Sequence, residues 1–341
     1  MTSAPDMRGT SIAPAPAATS RRRFCGAVGA ALAALGQGAL AQARYPDRPI
    51  KVLIGFAPGG GADAVARLVC SAMAEELGQP LVVDNRPGAN ANIATDAVAK
   101  APADGYTLLY NTSALAISPA LYARLPYDPR RDLVPVAQAA AIPLLLVVSP
   151  RMPVKNVKEF VAYLAAKRGQ LNYASSGRGN ITHLAAAEIL RLTGSEANHV
   201  PYKSEAPAIT DLLGGHIDFY VGNANTLIPQ AQERKLVPLA VTSLRRMPQL
   251  PDVPTLDESI AKGLEMVAWS GFMAPRGTPP EVVARIAAAV EAATRRPAVR
   301  KRVEAGGAQV RWAGAGGYGR LIDAELQRWS RAVKAAGIQP E

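Results

Sequence analysis

Two short stretches of this chain place glycines and hydroxyl residues between an apolar run and a helical pattern, and both are suited to holding an anion. The first is Phe56-Ala57-Pro58-Gly59-Gly60-Gly61-Ala62-Asp63. It closes the β-branched run from Ile50 and leads into Val65, Leu68, Val69, Ala72 and Met73 at helical spacing. Three consecutive glycines leave backbone N–H groups bare. They lie beside first-turn amides that lack partners, at the positive end of the helix dipole. Such a loop can grip a carboxylate or phosphate through the backbone alone. The same turn also connects strands to helices in proteins that bind nothing there.

The second stretch, Ser175-Ser176-Gly177-Arg178-Gly179-Asn180, runs out of a strand over Leu171–Ala174 and into a helix from about Thr182. It repeats the first and adds the hydroxyls of Ser175, Ser176 and Thr182 and the cation of Arg178, with Asn180 or Thr182 available as N-cap. If each loop belongs to one lobe, two helix ends face each other across a cleft, where ligands of open α/β sheets bind.

Other chemistries fit less well. A P-loop requires Lys and then Ser or Thr after its last glycine, and here Ala62 and Asp63 follow Gly61. A dinucleotide fingerprint would require glycine at Ala64. Ser176, His183 and Asp218 could supply a hydrolytic triad, but Ala174 and Ser175 precede Ser176 and no Gly-x-Ser-x-Gly elbow surrounds it. His183, His199 and His216 have no metal-ligand spacing. A binding protein without cofactor or metal is the reading favoured over an enzyme.

The elements that must position the loops follow from periodicity. With 341 residues, 49% of them hydrophobic, the chain is long enough for about two domains with substantial cores. The net charge is +11, but Lys and Arg are scattered and only 5% of residues are aromatic, so nucleic-acid binding is not expected. Residues 1–43 read as a leader: an Ala/Pro/Ser/Thr-rich start, the basic stretch Ser20-Arg21-Arg22-Arg23-Phe24, and a weakly apolar run over Ala27–Ala41. Cleavage is expected after Ala43, with Ala41 the alternative. The general secretory and twin-arginine routes both stay open. Cys25 precedes the apolar run, which argues against a lipid anchor, and Cys70 reads as a buried small residue. Strands are expected at 50–56, 81–84, 106–110, 171–174, 199–202, 217–221 and 237–242. Val134–Val148 reads as two extended pieces around Pro143. Helices are expected at 92–100, 157–166, 182–192, 207–213, 226–234, 280–293, 298–304 and 318–336. The alternation implies an α/β fold with mainly parallel sheets flanked by helices.

A series of motifs then stands in order: YPDRPIKVLIGFAPGGGAD, DNRPGA, DGYTLL, LPYDP, LNYASSGRGNITHL, HVPYK, PAITDLLGGHIDF, LAVTS, LPDVPT and APRGTPPEVVARI. In this the chain resembles the Bug family, extracytoplasmic solute-binding receptors of the tripartite tricarboxylate transporter type, over essentially everything from Tyr45 onward. The resemblance implies a two-lobed periplasmic-binding-protein fold that closes like a Venus flytrap. Residues 44–141 and 242–341 would form lobe 1, and 142–241 lobe 2. It also implies a monomer in the periplasm that passes a small organic carboxylate to membrane subunits of a transporter, or else serves a sensor. The implied ligand contacts are the backbone of Phe56, Ala57, Pro58, Gly59, Gly60, Gly61, Ala62 and Asp63. From the other lobe come Ser175, Ser176, Gly177, Gly179, Asn180, Thr182, His183, Tyr202 and Asn223. Departures from the family pattern stand at Ala62, Asn90-Ala91, Ser204 and Gly222. An acid often found at the last of these can hold an amine, so its replacement by glycine favours a plain organic acid, a dicarboxylate or an aromatic carboxylate.

Overall fold

A strand–helix alternation opens the fold: β1 (Ile50–Ile54), α1 (Gly61–Leu77), β2 (Leu81–Asn85), α2 (Asn92–Ala99), β3 (Thr107–Thr112) and α3 (Ala114–Leu121). The long strand β4 (Leu133–Val148) comes next. It is followed by α4 (Val157–Lys167), β5 (Asn172–Ser175), α5 (Ile181–Thr193), β6 (Asn198–Pro201), α6 (Glu205–Gly214), β7 (Phe219–Asn223), α7 (Ala224–Gln232) and β8 (Val237–Val241). The remaining elements are α8 (Leu256–Ser259), β9 (Val267–Pro275), α9 (Pro280–Arg295), α10 (Pro297–Ala305), β10 (Gln309–Gly314) and α11 (Ala315–Ala335). The structure is a computed structural model that describes residues 45–335 and the first two residues of the chain. The rest of the expected leader, with Cys25 and both expected cleavage points, lies outside the described residues.

The sheet has two wings that share β4. In the first wing the order is β2-β1-β3-β9-β4, with β10 also on β4; in the second, β4-β7-β5-β6, with β8 also on β4. The pairs β1–β2, β1–β3, β5–β6 and β5–β7 are parallel, as the alternation predicts. The pairs that involve β4 or β9 are antiparallel. Residues Leu133–Pro143 of β4 pair with β9, and Leu144–Val148 pair with β7 and β8. Pro143 does not break the run in two, as expected from the sequence; it stands where the strand changes partners. There its missing N–H costs least, because the ladder is interrupted anyway.

This strand is apolar apart from the buried Gln138, because both its faces are covered. Leu144, Leu146 and Val148 pack into the larger core, and the alternate residues Leu145 and Val147 into a second core with Leu212, Tyr220 and Leu227. Cys70 is buried on α1 with its thiol pushed up to about 12 by desolvation, consistent with a packing role. Helix α1 ends at Gly78, which adopts the left-handed conformation and donates its N–H to Ala74 O. Among the described residues no helix is long and apolar enough to cross a membrane.

The turn before α2 carries unusual backbone. Ala89, Asn90 and Ala91 all have positive φ, at 47°, 51° and 71°. Side chains there clash with the following carbonyl. The turn lies against Gly55, where an added Cβ would overlap the backbone of Ala91. Gly55 is therefore required for β1 to end close to this turn. Ala89→Gly, at an exposed site, is expected to stabilise the protein by about 0.5–1 kcal/mol, roughly a 2 °C rise in Tm. Gly55→Ala is expected to destabilise it by about 1–3 kcal/mol, because backbone rather than a side-chain tip must move. Thermal melts of the two variants check both signs.

Candidate functional site

The two glycine loops meet. The first joins β1 to α1, and Gly60 is the N-cap in extended conformation, with no side chain capping the helix. The first-turn amides are thus left to other partners. The loop is fastened from behind by Asp63, which accepts from Gly59 N at 3.1 Å, from Arg67 Nε at 3.0 Å and from Asn85 Nδ2 at 2.9 Å. Burial raises the Asp63 carboxyl, but these hydrogen bonds and the Arg67 charge outweigh it and hold the group below the usual carboxylate range. Asn85 Nδ2 also donates to Phe56 O at 2.9 Å. Asp63 is therefore a buttress whose charge is already matched.

The second loop joins β5 to α5, with Asn180 as N-cap accepting from Thr182 N at 3.1 Å. Ser176 N donates to Thr182 Oγ1 at 2.9 Å, and Ser176 Oγ donates to Asn180 Oδ1 at 3.2 Å. Gly179 has a φ of 70°, and a Cβ there would overlap the Leu121 side chain, so glycine is required twice over. Its N–H donates to His183 Nδ1 at 3.0 Å. The His183 ring stacks on His199 with centroids 3.8 Å apart, and His199 Nε2 lies 2.6 Å from Ser175 Oγ. This assembly lies beneath the loop and fixes its course.

Between the loops lies a cleft. The first loop contributes Phe56, Ala57, Gly60, Gly61, Ala62 and Asp63, and the second Ser176 and Asn180. Asn223, at the end of β7, completes the expected residues found there. Pro58 and Gly59 are exposed at the loop tip. Gly177 and Tyr202 line an adjoining groove that shares Phe56, Ala57 and Ser176 with the cleft, and Tyr202 donates its hydroxyl to Asp211. Ser175, Gly179, Thr182 and His183 stand behind the second loop and shape it. The hydrolytic set does not assemble: Ser176 Oγ engages Asn180 and Thr182, His183 Nδ1 serves Gly179, and Asp218 accepts from Asn172 N.

Several lining residues were not expected from the sequence. Thr112 ends β3 and Ser113 follows it, Trp269 and Ser270 come from β9, and Ser204 and Glu205 open α6. Trp269 is held by α11, where Glu325 Oε2 accepts from its indole N–H at 2.9 Å and from that of Trp329 at 2.8 Å. Ser270 Oγ is 2.7 Å from the Tyr110 hydroxyl. Their signal was a strand end on the cleft side, which only sheet order reveals. Glu205 is 4% exposed and its Oε1 accepts from Asn223 N at 2.9 Å and from the Tyr220 hydroxyl at 3.1 Å. Its Oε2 accepts from Thr226 Oγ1 at 3.0 Å and from Gly61 N, across the cleft, at 3.4 Å. Gly222 is small for a reason: a Cβ there would overlap the Tyr220 ring, which reaches over it to Glu205. A buried acid does reach this part of the cleft, from α6 at Glu205 rather than at position 222.

Burial holds both stacked histidines neutral, His183 at about 3 and His199 at about 4, with the neighbouring His199 and Arg178 charges adding to the effect at His183 and Arg178 at His199. The unfolded chain takes up these protons near 6.5 while the folded one does not, so stability is full above 6.5 and falls as pH drops toward 4. The slope reaches up to about 1.4 kcal/mol per pH unit for each histidine. Tm measured from pH 7.5 to 5 should fall accordingly, and less steeply in His199→Gln; a flat wild-type profile would contradict this.

Residues 65–338 match the family model described as the tripartite tricarboxylate transporter family receptor. Protein BugT of Bordetella pertussis is 34% identical over 320 residues, 93% of this chain and 98% of BugT. A solved R. palustris protein, Rpa4515 with adipate, superposes with a TM-score of 0.84 at 34% identity, covering 87% of this chain and all of that one. MatC from Rhodopseudomonas palustris with bound malate gives 0.79 at 34% identity, over 85% of this chain and 100% of its own. The fold is that of these periplasmic binding proteins, and the chain belongs to the tripartite tricarboxylate transporter receptor family, the family of the Bug proteins.

Proposed function

We propose that this protein is an exported solute-binding receptor that takes up a small organic carboxylate in the cleft between its wings and passes it to membrane subunits of a transporter. The observation that carries this reading is the convergence of two glycine-bearing loop–helix junctions on one cleft, the one before α1 without a side-chain cap and the one before α5 capped by Asn180. Their backbone amides, with the hydroxyls of Thr112, Ser113, Ser176 and Ser270, suit a carboxylate, while Phe56, Ile142, Ala268 and Trp269 suit the carbon chain. The adipate and malate bound by related proteins belong to the same chemical class.

The wings would act as the two lobes, 44–141 with 242–341 and 142–241. The partner change in β4 at Pro143–Leu144 and the end of β8 at Val241 fall at those limits. Contacts across the cleft, such as Asn225 Nδ2 to Gly61 O at 3.1 Å, would form on closure and be lost on opening. Tighter binding to the closed form would then drive capture. The leader read in residues 1–43 fits delivery to the periplasm.

Gly60 offers a clean test. Its φ of −79° is open to any residue, and a Cβ there would meet only Ala57 O at 3.8 Å. A thermal-shift series with malate, adipate, citrate, benzoate and proteinogenic amino acids is expected to raise Tm with at least one carboxylate. Gly60→Val should keep its own Tm within about 2 °C, as surface changes usually do. Its calorimetric affinity for the same ligand should fall at least tenfold. Unaltered affinity would refute the role given to this loop.

A further inference from the structure

Glu205 is the feature of the cleft that a plain carboxylate receptor does not need. Its carboxylate is buried and held by Asn223 N, the Tyr220 hydroxyl and Thr226 Oγ1, all from its own wing. These three hydrogen bonds fix it in the first turn of α6, where it cannot retreat from whatever enters. Among the described residues that line the cleft there is no lysine, arginine or histidine. The other acid, Asp63, is matched by Arg67. The lining therefore carries one carboxylate with no basic side chain facing it.

Its position matters more than its presence. Glu205 Oε2 is 3.4 Å from Gly61 N, one of the amides that a ligand carboxylate would use. A ligand anion seated on the α1 terminus consequently comes into contact with Glu205. Two carboxylates so close, shielded from water, repel strongly unless a cation lies between them. The surroundings also favour a donor: Asn223 Oδ1 and Asn225 Oδ1 are buried acceptors without a hydrogen-bond partner. Asn223 lines the cleft and already donates its backbone N–H to Glu205. An ammonium group has three donors and no acceptor, which fits a carboxylate beside an unfilled amide oxygen.

We propose that Glu205 is the specificity-determining residue of this cleft and selects a carboxylate that carries its own ammonium group a few bonds away, in preference to a dicarboxylate. The inference rests on the receptor reading above and narrows its ligand class. The ligand carboxylate lies on the amides of the first loop, and its ammonium lies between that carboxylate and Glu205, bonded to Glu205 and Asn223 Oδ1. Charge in the closed cleft is then balanced without any basic side chain.

Calorimetry on the full mature chain with matched pairs tests this: L-glutamate against glutarate, L-alanine against propionate, and 4-aminobutyrate against succinate. At least one amino member should bind tenfold or more tightly than its partner. In Glu205→Gln that preference should shrink at least tenfold, chiefly through lost affinity for the amino member. If the plain acids bind as tightly as their amino partners in every pair, or if the preference is unmoved in a folded Glu205→Gln, the inference is overturned and the carboxylate receptor stands. If Glu205→Gln does not fold, as judged by circular dichroism, the wild-type preference decides alone. If no carboxylate gives heat in any pair or in the earlier screen, both the inference and the receptor reading fail.

Discussion

Strand β4 has to serve two sheets at once, and most of the architecture follows from that constraint. Its first part lies between β9 and β10, its last five residues between β7 and β8, and both faces are covered along the way. A strand in that position has little room for polar side chains on either face, and its sequence is apolar except for the buried Gln138. The glycine loops lie at the carboxyl ends of β1 and β5, on strands that belong to different wings. They oppose each other because the wings are tied together by this shared strand. The cleft is the space left between two sheets that a common strand keeps from separating.

In the proposed reading, recognition in that space depends on the backbone. Gly60 and Gly61 carry no side chain of their own over their amides, Gly61 N meets only the long 3.4 Å contact of Glu205 among the described hydrogen bonds, and the polar side chains near each loop are occupied in holding its shape. Asp63 ties down the first loop from below. Thr182, Asn180 and the stacked histidines do the same for the second. The cleft carboxylate without a basic partner in the lining, Glu205, is fixed by donors of the second wing and reaches the first wing at Gly61 N. The proposed site thus combines a rigid anion seat with one oriented carboxylate.

The two loops were legible in the sequence because a glycine run between an apolar strand and a helical pattern is a local signal. So were most element limits, set by periodicity and by Pro and Gly. What lay beyond reach was whatever depends on strand order. Thr112, Ser113, Trp269 and Ser270 enter the cleft because β3 and β9 are neighbours, and no local pattern announces that. Glu205 reads as an ordinary acid in a helix's first turn until the fold brings it to Gly61, 144 residues earlier. Pro143 was expected to cut the run it lies in, since a proline inside a strand ordinarily removes a ladder bond; the change of partners at that point could not be seen. Strand β10 and helix α3 escaped notice because neither carries a long periodic stretch. The Gly222 departure was visible, but its meaning lay in the Tyr220 ring two residues away on the same face.

The proposed seat of main-chain amides would have a consequence for how such receptors diversify. Backbone N–H groups are the same whatever side chains surround them, so the grip on a carboxylate survives most substitutions that leave the loop's path intact. Residues at the far side of the cleft, of which position 205 is one, are then released to vary without loss of the basic capacity to bind. New ligand preferences can arise by single changes there, each tested on a molecule that already holds the common part of its ligands. A lineage of this design can explore many solutes in small steps, with the shared handle inherited and only the discriminating end rewritten.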